Sequence, residues 1–341
     1  MTPRSLLKRF EAIVRLRAPL AAGASALALT AGCATGDGSD FDPHERAQSY
    51  ESQGFATSPV QLGQQDYEEL LATFKRGESI PLDVCRRVCE RLGGEQVTSC
   101  NLPLEADGEE PLTLMCTVEY RYFHPVGRRP PGLLSAAQAE GATACGRWFA
   151  ESARLEEGAV LAFAALLDEL RAHGAPQALQ EACLQALWDE VHHTHLTRAL
   201  ALALGADPRR PEVEEFRVRP LLEIALDNAV EGCVQETWSA LQATWQAHFA
   251  QPGPIQQALA AIAVDETRHA ELSWDIDAWI MTRLDEGERQ QVIDARAEAV
   301  AALRRALASV DTAPLPAALG LPDSAQALDL FDTLSADLLA A

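Results

Sequence analysis

The sequence is poor in aromatic residues and in positive charge. Phenylalanine, tryptophan and tyrosine make up 6% of the 341 residues, whereas alanine and leucine are abundant. This composition argues against a mainly β protein and favours helices. With 28 basic residues against 50 acidic ones, the formal charge is −22. Such a chain repels nucleic acids and anionic membrane surfaces, so neither is expected as a partner.

A long apolar run is also lacking, because the only candidate, residues 18–32, is short for a helix that spans a bilayer. It follows five basic residues and ends in the sequence LTAGC, whose last residue is Cys33. This order is typical of a secretory signal, and a cysteine after Ala-Gly resembles a bacterial lipobox. We therefore expect residues 1–32 to be a lipoprotein signal peptide, Cys33 to be lipidated and residues 33–66 to be a flexible tether. An uncleaved membrane anchor or a plain signal is the alternative.

Two consequences follow from this interpretation. Five basic residues and one acidic residue lie in residues 1–32, so the rest of the chain carries a formal charge of −26. The protein is expected on the periplasmic side of the cell envelope, with the lipid anchor as its only contact with the membrane.

Four cysteines are concentrated in a small module predicted over residues 67–133; they are Cys85, Cys89, Cys100 and Cys116. The first two lie one turn apart on a predicted helix, and the other two lie on alternating runs with the turn signal Asp107-Gly108 midway between them. A helix followed by a β-hairpin is therefore expected. Four cysteines in an exported segment favour two disulfides, with the helix cysteines reaching the hairpin cysteines. A zinc site with four thiolate ligands is the alternative.

Long amphipathic helices follow the module. The first three have the predicted ranges 147–172, 176–204 and 221–250. A break at 251–254 follows, and the fourth helix continues to about residue 284. The four helices form two hairpins joined by a longer crossover, which is the topology of an antiparallel four-helix bundle over residues 147–284. Further helices are expected in residues 285–341, packed on the outside of the bundle or on a partner.

Two helices of the predicted bundle carry the motif Glu-x-x-His. The motifs are Glu190 to His193 and Glu266 to His269. Residues three apart on a helix project together, and the second motif lies on an apolar stripe. Charged groups in such a position must be paired, protonated or bound to a metal ion, because an unpaired buried charge costs several kcal/mol. A metal explains all four side chains at once.

A two-metal site of this kind also needs a glutamate from each of the other two helices. On the first helix Glu156 lies on the apolar stripe, whereas the adjacent Glu157 does not. On the third helix Glu236 lies at about the height of Glu266, whereas Glu231 lies nearly two turns away. Glu156 and Glu236 are therefore the predicted ligands, and Glu157 and Glu231 are the second choices.

The helical part of the chain resembles the rubrerythrin and ferritin-like di-iron carboxylate superfamily. Together with the segment GRRP at 127–130 and the motifs DEVHH and DETRHA, it resembles more narrowly exported ferritin-like proteins of myxobacterial type. The resemblance implies a ferritin-like fold with six metal ligands, which are Glu156, Glu190, His193, Glu236, Glu266 and His269.

Carboxylates and imidazoles suit iron or manganese, and zinc is possible. The resemblance implies two iron ions that react with O2 or peroxide and a small substrate, as in an oxidase, an oxygenase or a ferroxidase. The alternative is a non-catalytic lipoprotein of the envelope that binds metal or uses it as a structural staple. Association into a dimer is compatible with either function.

Overall fold

A computed structural model of the chain describes residues 3–17, 51–89, 97–102, 113–123, 127–130, 133, 143–213, 216–309 and 317–336. The chain is mainly helical, with a small hairpin and two disulfides. It divides into two units, a smaller one over residues 52–122 and a larger one that holds helix α1 (Pro3–Arg17) and the helices beyond residue 143. The predicted lipidation site Cys33 lies outside the described residues. Among the described helices, none is both long and apolar enough to cross a bilayer.

The described residues of the smaller unit form three strands and two short helices. They are β1 (Glu51–Gln61), α2 (Gln64–Thr73), α3 (Leu82–Val88), β2 (Val97–Asn101) and β3 (Thr113–Phe123). The sheet has the order β1-β3-β2, and β2 pairs with β3 in an antiparallel register that sets Cys100 opposite Cys116. Strand β1 and helix α2 begin within the stretch predicted as a tether, so the folded module starts before residue 67. The composition of this stretch, rich in Ser and Gln, did not indicate a strand, because strand pairing uses the backbone and not the side chains.

The two disulfides join helix α3 to the hairpin, as the sequence predicts. Cys85 is bonded to Cys100 and Cys89 to Cys116, with Cα–Cα distances of 5.5 and 6.2 Å. All four cysteines are buried in one cluster with Tyr67 and other apolar side chains. The alternative of a zinc site is wrong, because each sulfur is already bonded to another sulfur.

Removal of either disulfide is expected to destabilise the smaller unit alone. The Cys85→Ser/Cys100→Ser chain should lose about 3 kcal/mol and the Cys89→Ser/Cys116→Ser chain about 3.5 kcal/mol, because the second bond closes a longer loop. Hydrogen exchange of the β2 and β3 amides measures this loss. All six tryptophans lie beyond residue 147, so an unchanged tryptophan unfolding curve is the internal control. Equal destabilisation by both readouts would contradict the expectation.

The described part of the larger unit beyond residue 143 is mainly helical, with seven α-helices. They are α4 (Ala144–Ala172), α5 (Gln177–Ala203), α6 (Leu221–Asp227), α7 (Thr237–Phe249), α8 (Pro254–Met281), α9 (Glu286–Ser309) and α10 (Ser324–Leu334). Helix α4 packs along α5, α7 packs along α8, and α5 also contacts α8. Helices α9 and α10 match the prediction for the C-terminal region, and they pack against each other.

The third predicted helix is interrupted. Between α6 and α7, residues Asn228–Glu236 form a π-helical segment, and α6, this segment and α7 together are called the interrupted helix here. A π-helical turn contains more residues than an α-helical one, so side chains change direction relative to an ideal α-helix. Nothing in the 3.6-residue periodicity of this helix indicated such a change. Such segments are frequent at functional sites.

Helix α1 lies within the segment predicted as a signal peptide. That interpretation treated residues 1–32 as separate from the fold, but in the full-length chain α1 packs on α7, α8 and α10. Four of its apolar side chains are at most 3% exposed; they are Leu6, Phe10, Ile13 and Val14. Their spacing places them on one side of the helix, which explains why the segment can pack on the larger unit.

Candidate metal centre

Three helices bring four ligand groups together inside the larger unit. Glu156 comes from α4, Glu190 and His193 from α5, and Glu266 from α8. Each offers one ligand atom, and these atoms all lie within 4.8 Å of one another. The four side chains are at most 1% exposed. A buried group of three carboxylates and an imidazole at this spacing could hold a metal ion.

A second imidazole lies close to the same two central carboxylates, Glu190 and Glu266. His269 on α8 places its Nδ1 3.2 Å from Glu190 Oε1 and 3.6 Å from Glu266 Oε1. The Nδ1 of His193 lies 3.3 Å from an oxygen of each of the same two glutamates. Glu190 and Glu266 are therefore shared between the two histidines. One cation could lie beside each imidazole.

The inward atoms of these groups lack hydrogen-bond partners. Among the described residues, eight buried atoms of the six predicted ligands accept or donate no hydrogen bond; they are Glu156 Oε2, both Oε atoms of Glu190, His193 Nδ1, Glu236 Oε1, both Oε atoms of Glu266 and His269 Nδ1. Buried polar atoms in native proteins are nearly always satisfied. Oxygen and nitrogen atoms left together in this way fit a site for metal ions, whose bonds would replace the missing hydrogen bonds.

The outer nitrogens of both histidines are held by aspartates that the sequence analysis missed. His193 Nε2 donates to Asp265 at 3.2 Å, and His269 Nε2 donates to Asp189 at 3.3 Å. Arg268 contacts both aspartates, at 2.6 and 2.9 Å. Each aspartate immediately precedes the glutamate of one motif and holds the histidine of the other. The repeated Asp-Glu-x-x-His pattern was the available signal. Protonation of Nε2 leaves Nδ1 free to bind a metal ion.

Glu236, the predicted ligand on the interrupted helix, is held differently from the other five. Its Oε2 accepts a hydrogen bond from Ser273 Oγ and lies 3.9 Å from the guanidinium of Arg128, while its Oε1 is one of the unpartnered atoms. Arg128 is 2% exposed and donates to Asn228 Oδ1 at 2.6 Å. Glu236 is not part of the four-residue cluster. One of its oxygens is engaged by protein groups, and the other is available.

Two glycines make room for the segment that carries Arg128. A Cβ atom at Gly127 would collide with the carboxylate of Glu190, and one at Gly232 would collide with the guanidinium of Arg128 and with Ser273 Oγ. Only a residue without a side chain allows these close approaches. Residues 127–130, called the strap here, therefore lie directly against the candidate metal site. The sequence alone did not indicate that this segment lies at the ligands.

The second choices for ligands lie outside the cluster. Glu157 lies 3.9 Å from Arg210 and lines a cavity of about 400 Å³ that also includes His195. Glu231 is partly buried, and its charge helps to raise the pKa of Arg128. Among the described residues, neither contributes an atom to the four-residue cluster.

No protein-family model matches the sequence, and neither a curated protein nor a solved structure is significantly similar to it. The site therefore rests on its own geometry and electrostatics.

The carboxylates of the cluster differ in their affinity for protons. Burial raises the pKa of Glu156 well above its ordinary value, and the charges of Glu190 and Glu266 raise it further. Burial acts in the same direction on Glu190, but His193 and His269 outweigh it and lower the pKa of Glu190 below its ordinary value. Burial raises the pKa of Glu236 to about 7, although Arg128 acts in the opposite direction.

Both imidazoles hold protons strongly when no cation is bound. Burial alone would lower the pKa of His193 and of His269, but the surrounding carboxylates outweigh it and raise both pKa values well above the ordinary value. These protons balance the negative charges of the cluster. A metal ion would have to displace them, so metal affinity should increase as the pH rises.

The aspartates are expected to increase metal affinity without binding metal themselves. Asp265→Asn should weaken binding by about 10- to 100-fold, because the amide holds the His193 ring less well in the required tautomer. Asp189→Asn should act in the same way on His269. Anaerobic Fe(II) titration against a chromogenic chelator measures both effects. Asp168→Asn, an exposed residue on α4, is the control, and equal affinities for all three variants would contradict the expectation.

Proposed function

We propose that the larger unit is a ferritin-like four-helix bundle, formed by α4, α5, the interrupted helix and α8, that binds two iron ions. The observation that carries this proposal is the set of eight inward atoms without hydrogen-bond partners, which come from six side chains on those four helices. Buried carboxylates are costly unless they are paired with positive charge. Two divalent cations match the charge of four carboxylates.

The six ligands divide into two sets. Glu156 and His193 would bind one ion, Glu236 and His269 would bind the other, and the shared pair Glu190 and Glu266 would contribute to both. The distances from both Nδ1 atoms to the shared pair support this division. Carboxylate oxygens with imidazole nitrogens suit iron or manganese, and zinc would also fit.

We assign the site to an oxidase, an oxygenase or a ferroxidase that uses O2 or peroxide, with a small substrate in the first two cases. Iron bound there would supply the electrons that reduce the oxidant. The protein groups exclude water, since the six ligands are at most 1% exposed. Asp189 and Asp265 keep a proton on each Nε2 and so fix the orientation of both rings.

The full-length chain loaded anaerobically with Fe(II) is the test of this function. It is expected to bind two ions per chain and to consume O2 in an oxygen electrode, whereas the zinc-loaded chain should consume none. Stoichiometric binding of zinc together with no O2 consumption after iron loading would overturn the catalytic assignment.

A structural role for the metal is the second candidate. The observation that favours it is the strap, because Gly127 lies against Glu190 and Arg128 is buried beside Glu236. Closed metal sites are typical of structural metals, whereas catalytic sites keep a position open. If this role is correct, zinc should raise the unfolding temperature of the larger unit as much as iron does, and neither form should react with peroxide.

We further propose that the mature protein is anchored in the cell envelope through a lipid on Cys33. The support is the order of basic residues, apolar run and LTAGC sequence. Expressed in a bacterium with an outer membrane, the wild-type chain should appear in the membrane fraction with a lipid-modified N-terminus. The Cys33→Ala chain should lack the modification, and an identical mass and distribution of the two chains would exclude lipidation.

A further inference from the structure

Helix α1 fills an apolar groove of the larger unit. It contacts α7, α8 and α10, and its buried side chains belong to the same cluster as Trp238, Leu330 and Phe331. These three groove residues are at most 2% exposed. If α1 left, the groove would present a continuous apolar surface to water. Surfaces of that kind mark sites where other molecules bind.

The side of α1 that faces away from the groove is basic. Lys8, Arg9 and Arg15 are exposed, while the buried residues follow the spacing i, i+4, i+7 and i+8 from Leu6. The groove thus receives an amphipathic helix through four apolar anchors. Because the rest of the chain carries a formal charge of −26, a basic helix is attracted to it, whereas an acidic helix would be repelled.

A buried carboxylate marks one end of the groove. Glu271 on α8 is 5% exposed, and neither of its oxygens has a hydrogen-bond partner among the described residues. It lies beside the first turns of α1, close to the backbone of Leu6. The N-terminal end of a helix carries partial positive charge that favours a carboxylate. The groove therefore distinguishes the direction of a bound helix as well as its apolar side.

We propose that the groove between α7, α8 and α10 is a binding site for a basic amphipathic helix. In the chain that keeps residues 1–32, α1 occupies this groove. Once residues 1–32 are removed, a basic amphipathic helix of a partner protein occupies it. The second half rests on the proposed processing at Cys33. The first half is independent of processing and of metal binding. None of the six candidate metal ligands lies on α1.

The test uses two full-length variants with the same change in charge. Phe10→Glu replaces a buried anchor and should release α1, whereas Lys8→Gln alters an exposed position and should not. A labelled peptide of residues 3–17 is then added to each chain. It should bind the Phe10→Glu chain at least about tenfold more tightly than the wild-type or Lys8→Gln chain, because only an open groove can accept it. A peptide that carries Phe10→Glu should not bind.

Each other outcome counts against the proposal. A folded Phe10→Glu chain that ignores the peptide, or a Lys8→Gln chain that binds it equally well, would exclude the groove as a helix site. Loss of helical circular dichroism in the Phe10→Glu chain would show that α1 is an indispensable part of the core. Self-association of that chain in sedimentation, without peptide binding, would make a second copy the occupant. Because metal content is measured separately, failure here does not affect the proposed metal centre.

Discussion

The Glu156→Gln chain is expected to lose metal binding almost completely while it folds as well as the wild-type chain. Glu156 is 1% exposed and supplies one atom of the cluster. A neutral amide replaces a charged ligand, so affinity should fall by more than about 100-fold, since loss of a mere supporting group already costs about 10- to 100-fold. At a metal concentration about 100 times the wild-type Kd, this removes about 2.3–2.7 kcal/mol of stabilisation. Anaerobic Fe(II) titration and thermal unfolding with and without Fe(II) measure both effects.

In the metal-free chain the same substitution should not destabilise the fold. Burial and the charges of Glu190 and Glu266 raise the pKa of Glu156 well above its ordinary value of 4.5. The folded state thus keeps a proton that the unfolded state releases as the pH rises above 4.5, so the wild-type chain loses stability with rising pH. Glutamine resembles the neutral acid and has no such dependence. At neutral pH the metal-free variant should be at least as stable as the wild-type chain.

The adjacent residue offers a matched control. Glu157→Gln makes the same chemical change one position along α4, where the side chain is 30% exposed and lies 3.9 Å from Arg210. This chain should bind Fe(II) as the wild-type chain does. Retention of both ions by Glu156→Gln, or their loss from Glu157→Gln, would show that the ligand on α4 has been assigned wrongly.

The helix boundaries of the larger unit could be predicted because their signals are local. Helix α5 begins at Gln177 directly after Pro176, and α8 begins with Pro254, the last residue of the predicted break. Proline and glycine act on the dihedral angles of single residues, so they can be interpreted without knowledge of the fold. Helix α4 begins at Ala144, three residues before the predicted start, because Thr143 caps it by accepting a hydrogen bond from the Gly146 N–H.

The π-helical segment could not be predicted, since it depends on contacts between distant parts of the chain. Arg128 reaches Asn228 across 100 residues of sequence and lies against Gly232, both within that segment. Asn228 in turn donates to the Ser273 carbonyl on α8. The periodic pattern of one helix does not indicate which distant residues will contact it. The packing of α1 on α7, α8 and α10 could not be predicted for the same reason.

The sequence was sufficient to predict which residues form the candidate site. It was not sufficient to predict which other residues hold them in place. Two Glu-x-x-His motifs are visible in the sequence, and the structure brings Glu190, His193 and Glu266 together with Glu156. The crossed pairing of Asp265 with His193 and of Asp189 with His269 needs two helices side by side, so no single motif reveals it. The contact of Glu236 with Arg128 could not be predicted either, because Arg128 belongs to the strap, which is distant in sequence.

Loss of the Arg128 side chain is expected to have the largest effect on stability. Arg128 is 2% exposed and lies between Glu236 at 3.9 Å and Asp227 at 3.8 Å, with hydrogen bonds to Asn228 and Ser273. Arg128→Ala leaves the buried Glu236 without its cationic partner. Breaking a buried pair in this way costs about 3–5 kcal/mol, because the remaining charge stays out of water. Urea unfolding of the metal-free chain, followed by tryptophan fluorescence, measures the loss.

Arg171→Ala is the control for this prediction, because it removes the same side chain from an exposed pair. Arg171 and Asp168 are 54% and 60% exposed, so their separation should change stability by less than about 1 kcal/mol. The contrast isolates burial as the cause, since both arginines face a carboxylate. If the two variants lost similar stability, the strap would be a surface segment, and Glu236 would have to be held by Ser273 alone. A large loss for Arg128→Ala only would instead tie the strap to the ligand on the interrupted helix.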